Sequence, residues 1–186
     1  FASWFTSSPI IAITGSNGKT TTTSLLYEIL SNANIDVLLG GNIGIPFSEN
    51  IIKEKQSNFK NCVHLLEISS FQMEYVYHFS PLISCILNIS EDHMDRYSCM
   101  QDYIDAKMNI AQNLVEPAWL VYNADDSVLS TSLKNRHRTK LFSLSADMQA
   151  DYILKNNLIY HRVDNKLLEL IQINNIPLKG KHNIEN

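Results

Sequence analysis

Short, almost purely apolar runs alternate with helix-like patterns over most of this chain. The apolar runs lie at 10–14, 37–39, 63–68, 82–89 and 119–123, and helical periodicity is found at 19–32 and 98–114. Strands that are apolar on both faces are typical of parallel sheets, because helices on both sides shield them from water. The pattern therefore predicts an α/β fold with a mainly parallel sheet that is covered by helices.

The composition excludes several classes of protein. The chain has 186 residues, of which 45% are hydrophobic and 18% are charged, and its formal net charge is −4. No block of Lys or Arg is present, although a nucleic-acid or anionic-membrane surface would need one. No apolar run approaches the ~20 residues of a membrane span. We therefore expect a globular domain with neither nucleic acid nor membrane as a partner.

The cysteines and the two ends of the chain indicate where the protein works. Cys62, Cys85 and Cys99 form neither a disulfide framework nor a metal-binding spacing, which favours a reducing compartment. The first residues, FASWFTSSP, lack the basic region of a signal peptide, and the chain starts without Met. We interpret the chain as an internal piece of a longer, cytoplasmic protein.

The character of the sequence changes after about residue 139. The runs TKLFSL, DYILKNNLIYHRV and KLLELIQI resemble strands, and turns that contain Asn and Asp join them without an intervening helical pattern. Consecutive strands with short polar turns are typical of antiparallel hairpins. We therefore predict an α/β core over 1–138 and a small antiparallel β appendage over 139–178.

The stretch AITGSNGKTTTT lies where the first strand passes into the first helix. Backbone N–H groups and the helix dipole favour an anion at this position, and Gly15 and Gly18 allow close approach. Lys19 supplies a positive charge for phosphate, and the Thr20 hydroxyl suits Mg²⁺. The full motif G-x-x-x-x-G-K-[ST] fails because Ile13 occupies the first glycine position. The alternative is a glycine turn that caps a helix beside a solvated lysine.

Acidic residues follow the next apolar strands at the same predicted sheet edge. Glu67 ends the run VHLLE, where a carboxylate can hold Mg²⁺ opposite a phosphate loop, or can instead cap the next segment. The run NISEDHMDRY contains His93 among several acids. His93 is a candidate metal ligand, and the alternative is a hydrogen-bonded histidine in a loop.

Lys107 shares one helical stripe with apolar residues. Its neighbours on that stripe are Tyr103, Ile110, Ala111 and Leu114. A lysine on a packing face is disfavoured, unless its stem covers apolar surface while its ammonium group reaches water. The other interpretation is a desolvated amine with a lowered pKa, which is able to react.

Together, the motifs TGSNGKT, GGNIG, LEISSFQ and EDHMDRY resemble the Mur ligases, the ATP-dependent ligases that assemble the peptidoglycan peptide. The resemblance covers about 9–186 and implies the family's central ATP-binding domain, a P-loop-type (Rossmann-like) sheet with a small antiparallel sheet. Members of the family use the shortened phosphate loop, which accounts for Ile13. The resemblance also implies that an N-terminal UDP-binding domain and a C-terminal amino-acid-binding domain are absent from this chain.

The resemblance implies roles for residues that match the family's motifs. Residues implied to bind ATP are Gly15, Ser16, Asn17, Gly18, Lys19, Thr20 and Thr21 at the phosphates, and Asn183 and Asn186 near the adenine. Thr20 and Glu67 would hold one Mg²⁺, and His93 a second. Lys107 matches the family's carbamylated lysine, whose anion supports the metal site, so that Lys19, Lys107 and His93 are the implied catalytic residues. Asn42 and Ser69 match positions that contact the muramoyl substrate.

Within the family, the four motifs are similar to those of members that add D-glutamate to UDP-N-acetylmuramoyl-L-alanine through an acyl phosphate. The expected cofactors are ATP and Mg²⁺, and a monomer is expected. Three alternatives stay open at this point. They are another Mur ligase or a folylpolyglutamate synthase, a generic P-loop kinase or NTPase, and a module that only binds nucleotide.

Overall fold

A computed structural model describes residues 1–57, 59, 62–146, 149–178 and 180–185. The α-helices are α1 (Lys19–Asn32), α2 (Phe47–Ser57), α3 (Ser70–Met73), α4 (Met100–Met108), α5 (Ser127–Leu133) and α6 (Lys181–Glu185). The strands are β1 (Ile10–Thr14), β2 (Asp36–Gly41), β3 (Cys62–Glu67), β4 (Ile83–Ile86), β5 (Trp119–Asn123), β6 (Thr139–Ser143), β7 (Tyr152–Lys155), β8 (Leu158–Val163) and β9 (Lys166–Gln172). Short 3₁₀ helices lie at Ala2–Phe5, Asn109–Ala111 and Ile173–Asn175.

All the described strands form one sheet in the order β2-β3-β1-β4-β5-β6-β7-β8-β9. Pairing is parallel from β2 to β7 and antiparallel between β7, β8 and β9. The predicted α/β fold with a mainly parallel sheet is therefore confirmed. Because β1 lies between β3 and β4, the segments that leave the carboxyl ends of these three strands share one edge. Ligands bind at this kind of edge in open α/β sheets.

The two faces of the central strands pack into different parts of the core. Along β1, Ile10 and Ala12 belong to the larger apolar cluster, which also contains Ile104 and Leu129 from the helices. Ile13 belongs to a second cluster on the opposite face, against which α1 packs. The alternation follows from the two-residue period of a strand. It explains why the central strands are apolar throughout.

The predicted start of the antiparallel part is wrong. β6, which begins at Thr139, pairs in parallel with β5, and β7 pairs in parallel with β6. The sequence analysis missed α5, which connects β5 to β6, and a strand–helix–strand unit leads to parallel pairing. Antiparallel pairing is confirmed only for β7–β9, and these strands continue the main sheet instead of forming another one.

The turns of the antiparallel part explain its two hairpins. Asn156 and Asn157 join β7 to β8, and Asp164 and Asn165 join β8 to β9; all four residues have positive φ, between 48° and 62°. Two consecutive left-handed residues are the requirement of a two-residue hairpin turn, and Asn and Asp tolerate this conformation best among residues with side chains. The local sequence therefore does determine this part of the fold.

A buried polar network joins the segment before β1 to α2 and β3. The hydroxyls of Thr6 and Ser8 donate to Glu54 Oε1 over 2.9 and 2.7 Å, and His64 Nε2 lies 3.1 Å from Glu54 Oε2. The ligand atoms of Glu54, Cys62 and His64 lie within 4.8 Å of one another. Since Cys62 Sγ also has a partner, Ser8 Oγ at 3.4 Å, hydrogen bonds already account for this cluster.

The ionisation of this network predicts a pH-dependent stability. Burial lowers the pKa of His64, although Glu54 partly opposes this effect. Burial acts to raise the pKa of Glu54, but hydrogen bonds from Ser8, Thr6 and His64 lower it overall. Both groups therefore bind protons more tightly in the unfolded chain than in the folded protein. As the pH falls below about 6.5, the ordinary pKa of histidine, the free energy of unfolding should decrease.

His64→Gln isolates this effect, because Gln can still donate to Glu54 but does not titrate. We expect urea unfolding at pH 7, 6 and 5 to show a smaller loss of stability for His64→Gln than for the wild type. Parallel pH curves for the two proteins would contradict the assignment to His64.

None of the helices in the described part of the chain combines the length and apolar character that crossing a lipid bilayer requires.

Candidate active site

Residues 15–21, which we call the phosphate loop, connect β1 to α1. Gly18 is the N-cap of α1 and has a φ of 82°, a left-handed conformation that glycine adopts without strain. In the described part of the chain, no side chain caps this end of α1. The first N–H groups of α1 are therefore open to an anion, as the sequence predicts.

Lys19 folds back over this loop. Its Nζ donates to the carbonyl oxygens of Gly15 and Ser16 over 2.9 and 3.0 Å. The side chain is half-buried, so the alternative of a freely solvated lysine does not describe its position. The ammonium group lies at the loop and adds positive charge to the site of the exposed N–H groups.

Glu67 faces the phosphate loop from the end of β3. Its side chain is 1% exposed, and its two carboxylate oxygens accept hydrogen bonds from the Thr20 hydroxyl (2.7 Å) and from Asn42 Nδ2 (2.8 Å). The Asn42 N–H also donates to the Glu67 carbonyl over 2.8 Å. Gly41 permits this close approach, since an added Cβ would collide with the same carbonyl. A hydroxyl and a carboxylate held together are hard oxygen ligands that fit Mg²⁺.

Ser69 forms the N-cap of α3. Its Oγ accepts from the Gln72 N–H, while the Gln72 side chain accepts from the Ser69 N–H over 2.9 Å. This capping box is encoded in the spacing S-x-x-Q, a signal that the sequence analysis overlooked. The alternative in which Glu67 caps this segment is wrong, because Gln72 takes that role.

His93 lies in an exposed turn after β4. Its φ is 55°, its Nε2 is 3.4 Å from Asp92 Oδ2, and its ring centroid lies 4.8 Å from that of Phe71. The ring also approaches Tyr103, with centroids 6.5 Å apart. Since Tyr103 OH is 2.9 Å from Ser16 Oγ, His93 lies one aromatic ring away from the phosphate loop.

Lys107 is the most unusual residue of the site. It is 1% exposed, its Nζ donates to the Gly15 carbonyl over 2.8 Å, and the same atom lies 4.7 Å from the centre of the Tyr103 ring. Burial, together with the nearby positive charge of Lys19, lowers the pKa of Lys107 to about 7, whereas Asp92 acts in the opposite direction. The interpretation as a lysine that reaches water is wrong, because its amine is buried at the phosphate loop. The lowered pKa favours the neutral amine, which is the form that can react with an electrophile.

The end of β4 also supports the phosphate loop, through two residues whose roles the sequence analysis did not identify. Asn88 and Ser90, which follow β4, hydrogen-bond to Ser16 and Asn17. Asp126 accepts from the Ile89 N–H over 2.7 Å and also caps α5. The available signal was the run LNIS, in which polar residues directly follow an apolar strand at the predicted edge.

An open pocket of about 520 Å³ lies beside the phosphate loop. Its lining consists of Asn17, Gly18, Thr21, Asn88, Ile89, Ser90, Asp126, His182 and Glu185. Asn123 Nδ2 donates to Glu185 Oε1 over 2.5 Å and so holds α6 against the end of β5. Asn183 lies on α6 between the two residues of that helix that line the pocket. Asn186 lies outside the described residues.

The sequence profile described as the Mur ligase middle domain matches residues 13–186, which is most of the chain. The chain belongs to the Mur ligase family. Ile13, which occupies the position of the first glycine in the full phosphate-loop motif, is a buried strand residue and no part of the loop.

Relatives of this Mur ligase domain carry a specific name. A UDP-N-acetylmuramoylalanine–D-glutamate ligase of Thermoanaerobacter sp. (strain X514) is 40% identical over 188 residues, which cover 100% of this chain and 40% of the relative. The ligase of the same name from Fusobacterium nucleatum subsp. nucleatum is 40% identical over 177 residues, which cover 95% of this chain and 39% of the relative. The chain thus spans about 40% of the length of these curated relatives.

Solved structures share the fold of this Mur ligase domain. A UDP-N-acetylmuramoyl-L-alanyl-D-glutamate–2,6-diaminopimelate ligase has a TM-score of 0.72 at 23% identity, with 96% of this chain and 41% of that chain covered. MurF from Thermotoga maritima in complex with ADP has a TM-score of 0.66 at 21% identity, with 91% and 41% covered. At these identities the similarity establishes the fold alone.

Proposed function

We propose that the full-length protein joins D-glutamate to UDP-N-acetylmuramoyl-L-alanine at the expense of ATP. This proposal rests on one observation. The side chains of two lysines donate hydrogen bonds to the same loop carbonyl, that of Gly15. Lys19 brings charge for phosphate, and buried Lys107 brings a reactive amine. The relatives that are 40% identical and carry the name of this ligase support the choice of substrates.

The phosphates of ATP would lie on the phosphate loop. The uncapped N–H groups of α1 and the Lys19 ammonium supply a positive field for them. The pocket of about 520 Å³ beside the loop extends to α6, so the adenine would lie toward Asn183. The family resemblance also assigns Asn186 to the adenine. Thr21 lines the same pocket next to Gly18.

Thr20 and Glu67 would hold one Mg²⁺, because their oxygens already face each other over 2.7 Å. His93 and a carbamate on Lys107 would serve a second ion near the substrate carboxylate. Bound Mg²⁺ offsets negative charge on the phosphates and on the carboxylate. Asn42 would keep the Glu67 carboxylate oriented, since its amide donates to the other carboxylate oxygen.

The carbamate would form on the neutral amine of Lys107. The amine nitrogen bonds to the carbon of CO₂, one N–H proton passes to solvent, and an anionic carbamate remains. The lowered pKa favours this step, because an ammonium group has no lone pair with which to attack. The negative charge of the carbamate would lie beside the positive charge of Lys19. The repulsion between the two lysines would then be replaced by attraction.

The ligation itself would proceed in two transfers. A carboxylate oxygen of the muramoyl-alanine substrate attacks the γ-phosphorus of ATP, and ADP leaves. The amine of D-glutamate then attacks the acyl carbon, phosphate leaves, and the nitrogen loses a proton to give the amide. Lys19 would stabilise the negative charge that develops on the oxygen between the leaving ADP and the γ-phosphorus during the first transfer.

The rest of the protein would supply what this domain lacks. We propose that 1–186 is the central ATP-binding domain, with a UDP-binding domain before it and an amino-acid-binding domain after it. Asn42 and Ser69 would contact the muramoyl substrate in addition to their observed roles beside Glu67 and α3. A monomer and a cytoplasmic location stay predictions from the sequence.

Acceptor choice tests this proposal. With the muramoyl substrate and ATP, the full-length protein should release phosphate when D-glutamate is added, and hardly at all with L-lysine or L-alanine. Equal rates with those acceptors would assign the protein to another Mur ligase. Phosphate release without any amino acid would favour a kinase or NTPase, and ATP binding without turnover would favour a nucleotide-binding module.

A further inference from the structure

Asn88 makes three hydrogen bonds to two consecutive residues of the phosphate loop. Its backbone carbonyl accepts from the Ser16 N–H over 3.0 Å. Its side-chain oxygen accepts from the Asn17 N–H over 2.8 Å, and its side-chain Nδ2 donates to the Asn17 carbonyl over 3.1 Å. Both backbone groups of Asn17 are thus paired with one amide side chain.

This arrangement extends the pairing of β1 with β4 beyond the ends of both strands. The last paired residues are Thr14 and Ile86, after which the Leu87 N–H donates to the Thr14 carbonyl over 3.0 Å. The chain after Gly15 then turns away toward α1, and two backbones can no longer stay in register. The Asn88 side chain replaces the missing peptide group and continues the ladder for one more residue.

We propose that Asn88 is a positioning residue that holds the phosphate loop in its nucleotide-binding conformation before the nucleotide arrives. This inference rests on the proposed function of the loop. A loop that is already ordered loses less conformational entropy when it binds phosphate. Because Asn17 is exposed, water competes for its hydrogen bonds, and the main effect falls on binding instead of on global stability.

A positioning role differs from a direct contact with the base in one measurable respect. Asn88 lines the pocket beside the loop, so it could touch a bound adenosine. If it orders the loop, its replacement weakens the binding of every polyphosphate, with or without a nucleoside. If it contacts the base, inorganic tripolyphosphate binds to the variant as it does to the wild type.

The test compares MgATP with magnesium tripolyphosphate in the full-length protein by calorimetry. For Asn88→Ala we expect the dissociation constants of both ligands to rise about tenfold, as the loss of two hydrogen bonds implies. The KM for ATP should rise by a similar factor, while kcat stays within about twofold of the wild type. Asn88→Asp keeps the acceptor for the Asn17 N–H but loses the donor and adds negative charge, so it should weaken both ligands at least as much.

Asn113→Ala is the matched control, because Asn113 Nδ2 also donates to backbone carbonyls, those of Tyr77 and Phe79, far along the chain from the loop. The melting temperature of Asn113→Ala should change as much as that of Asn88→Ala, but the ligand binding of Asn113→Ala should equal that of the wild type. Unchanged dissociation constants for both Asn88 variants, or weaker binding of ATP alone, would overturn the inference while the wild type still binds ATP. A wild type that binds neither ligand would overturn the proposed function and this inference with it.

Discussion

Lys19→Ala should lower ATP turnover of the full-length protein by more than about 100-fold, the usual scale for removing a charge that stabilises a transition state. Within the described part of the chain, the Nζ of Lys19 donates hydrogen bonds only to the loop carbonyls of Gly15 and Ser16. Lys19 belongs to none of the apolar clusters formed by the described residues, so the melting temperature of the variant should change little. Phosphate release and thermal unfolding, measured on the same preparation, check both statements.

Lys53→Ala is a suitable control, because Lys53 is an exposed lysine of α2 whose ion pair with Glu49 lies on the surface. It should turn over ATP like the wild type. Normal turnover in Lys19→Ala together with normal unfolding would remove Lys19 from the mechanism.

Lys107→Ala should lose most of the activity and should regain part of it when acetate is added. The substitution removes the amine that would carry the carbamate, and it opens a cavity beside the phosphate loop into which a short carboxylate fits. Ala suits a helix interior, but the lost buried stem should lower the free energy of unfolding by about 2 kcal/mol. Steady-state rates with and without acetate, at constant ionic strength, test both the loss of activity and its partial recovery.

Lys107→Met separates lost chemistry from lost packing, because its side chain fills most of the same space without an amine. It should be as inactive as Lys107→Ala, more stable, and insensitive to acetate, since no cavity is left. An active Lys107→Met, or equal effects of acetate on both variants, would contradict a role for an anion at Lys107.

Much of this site was predictable because its signals are local. The phosphate loop follows from glycines and a lysine between a strand and a helix, and α1 has the predicted bounds of Lys19–Asn32. The helical stripe that Lys107 shares with Tyr103 and Ile110, both fully buried, placed this lysine on a packing face, although the stripe did not decide whether its amine reaches water. Glu67 follows from its position at the end of an apolar strand.

Other features were missed because their local sequence signals are weak and their structure depends on tertiary contacts. The helix α5 is only seven residues long, too short to show a clear helical period, and without it the parallel pairing of β6 could not be inferred. The capping box of Ser69 and Gln72 was missed because the helix that it caps, α3, has only four residues and therefore shows no helical period. Asn88 resembled any polar residue after a strand, and only its contacts with Asn17 distinguish it.

The sequence by itself determined the class of fold, the phosphate loop and the position of Lys107 on a packing face, because hydrophobic period and turn chemistry act over a few residues. Only the tertiary structure decided that Lys107 Nζ meets Gly15, a residue 92 positions away, at the same carbonyl that accepts from Lys19. The strand order set this meeting, since placing β1 between β3 and β4 brings three distant strand ends to one edge. Hydrogen bonds of 2.8 Å across such an edge depend on packing distances that no local pattern of residues encodes.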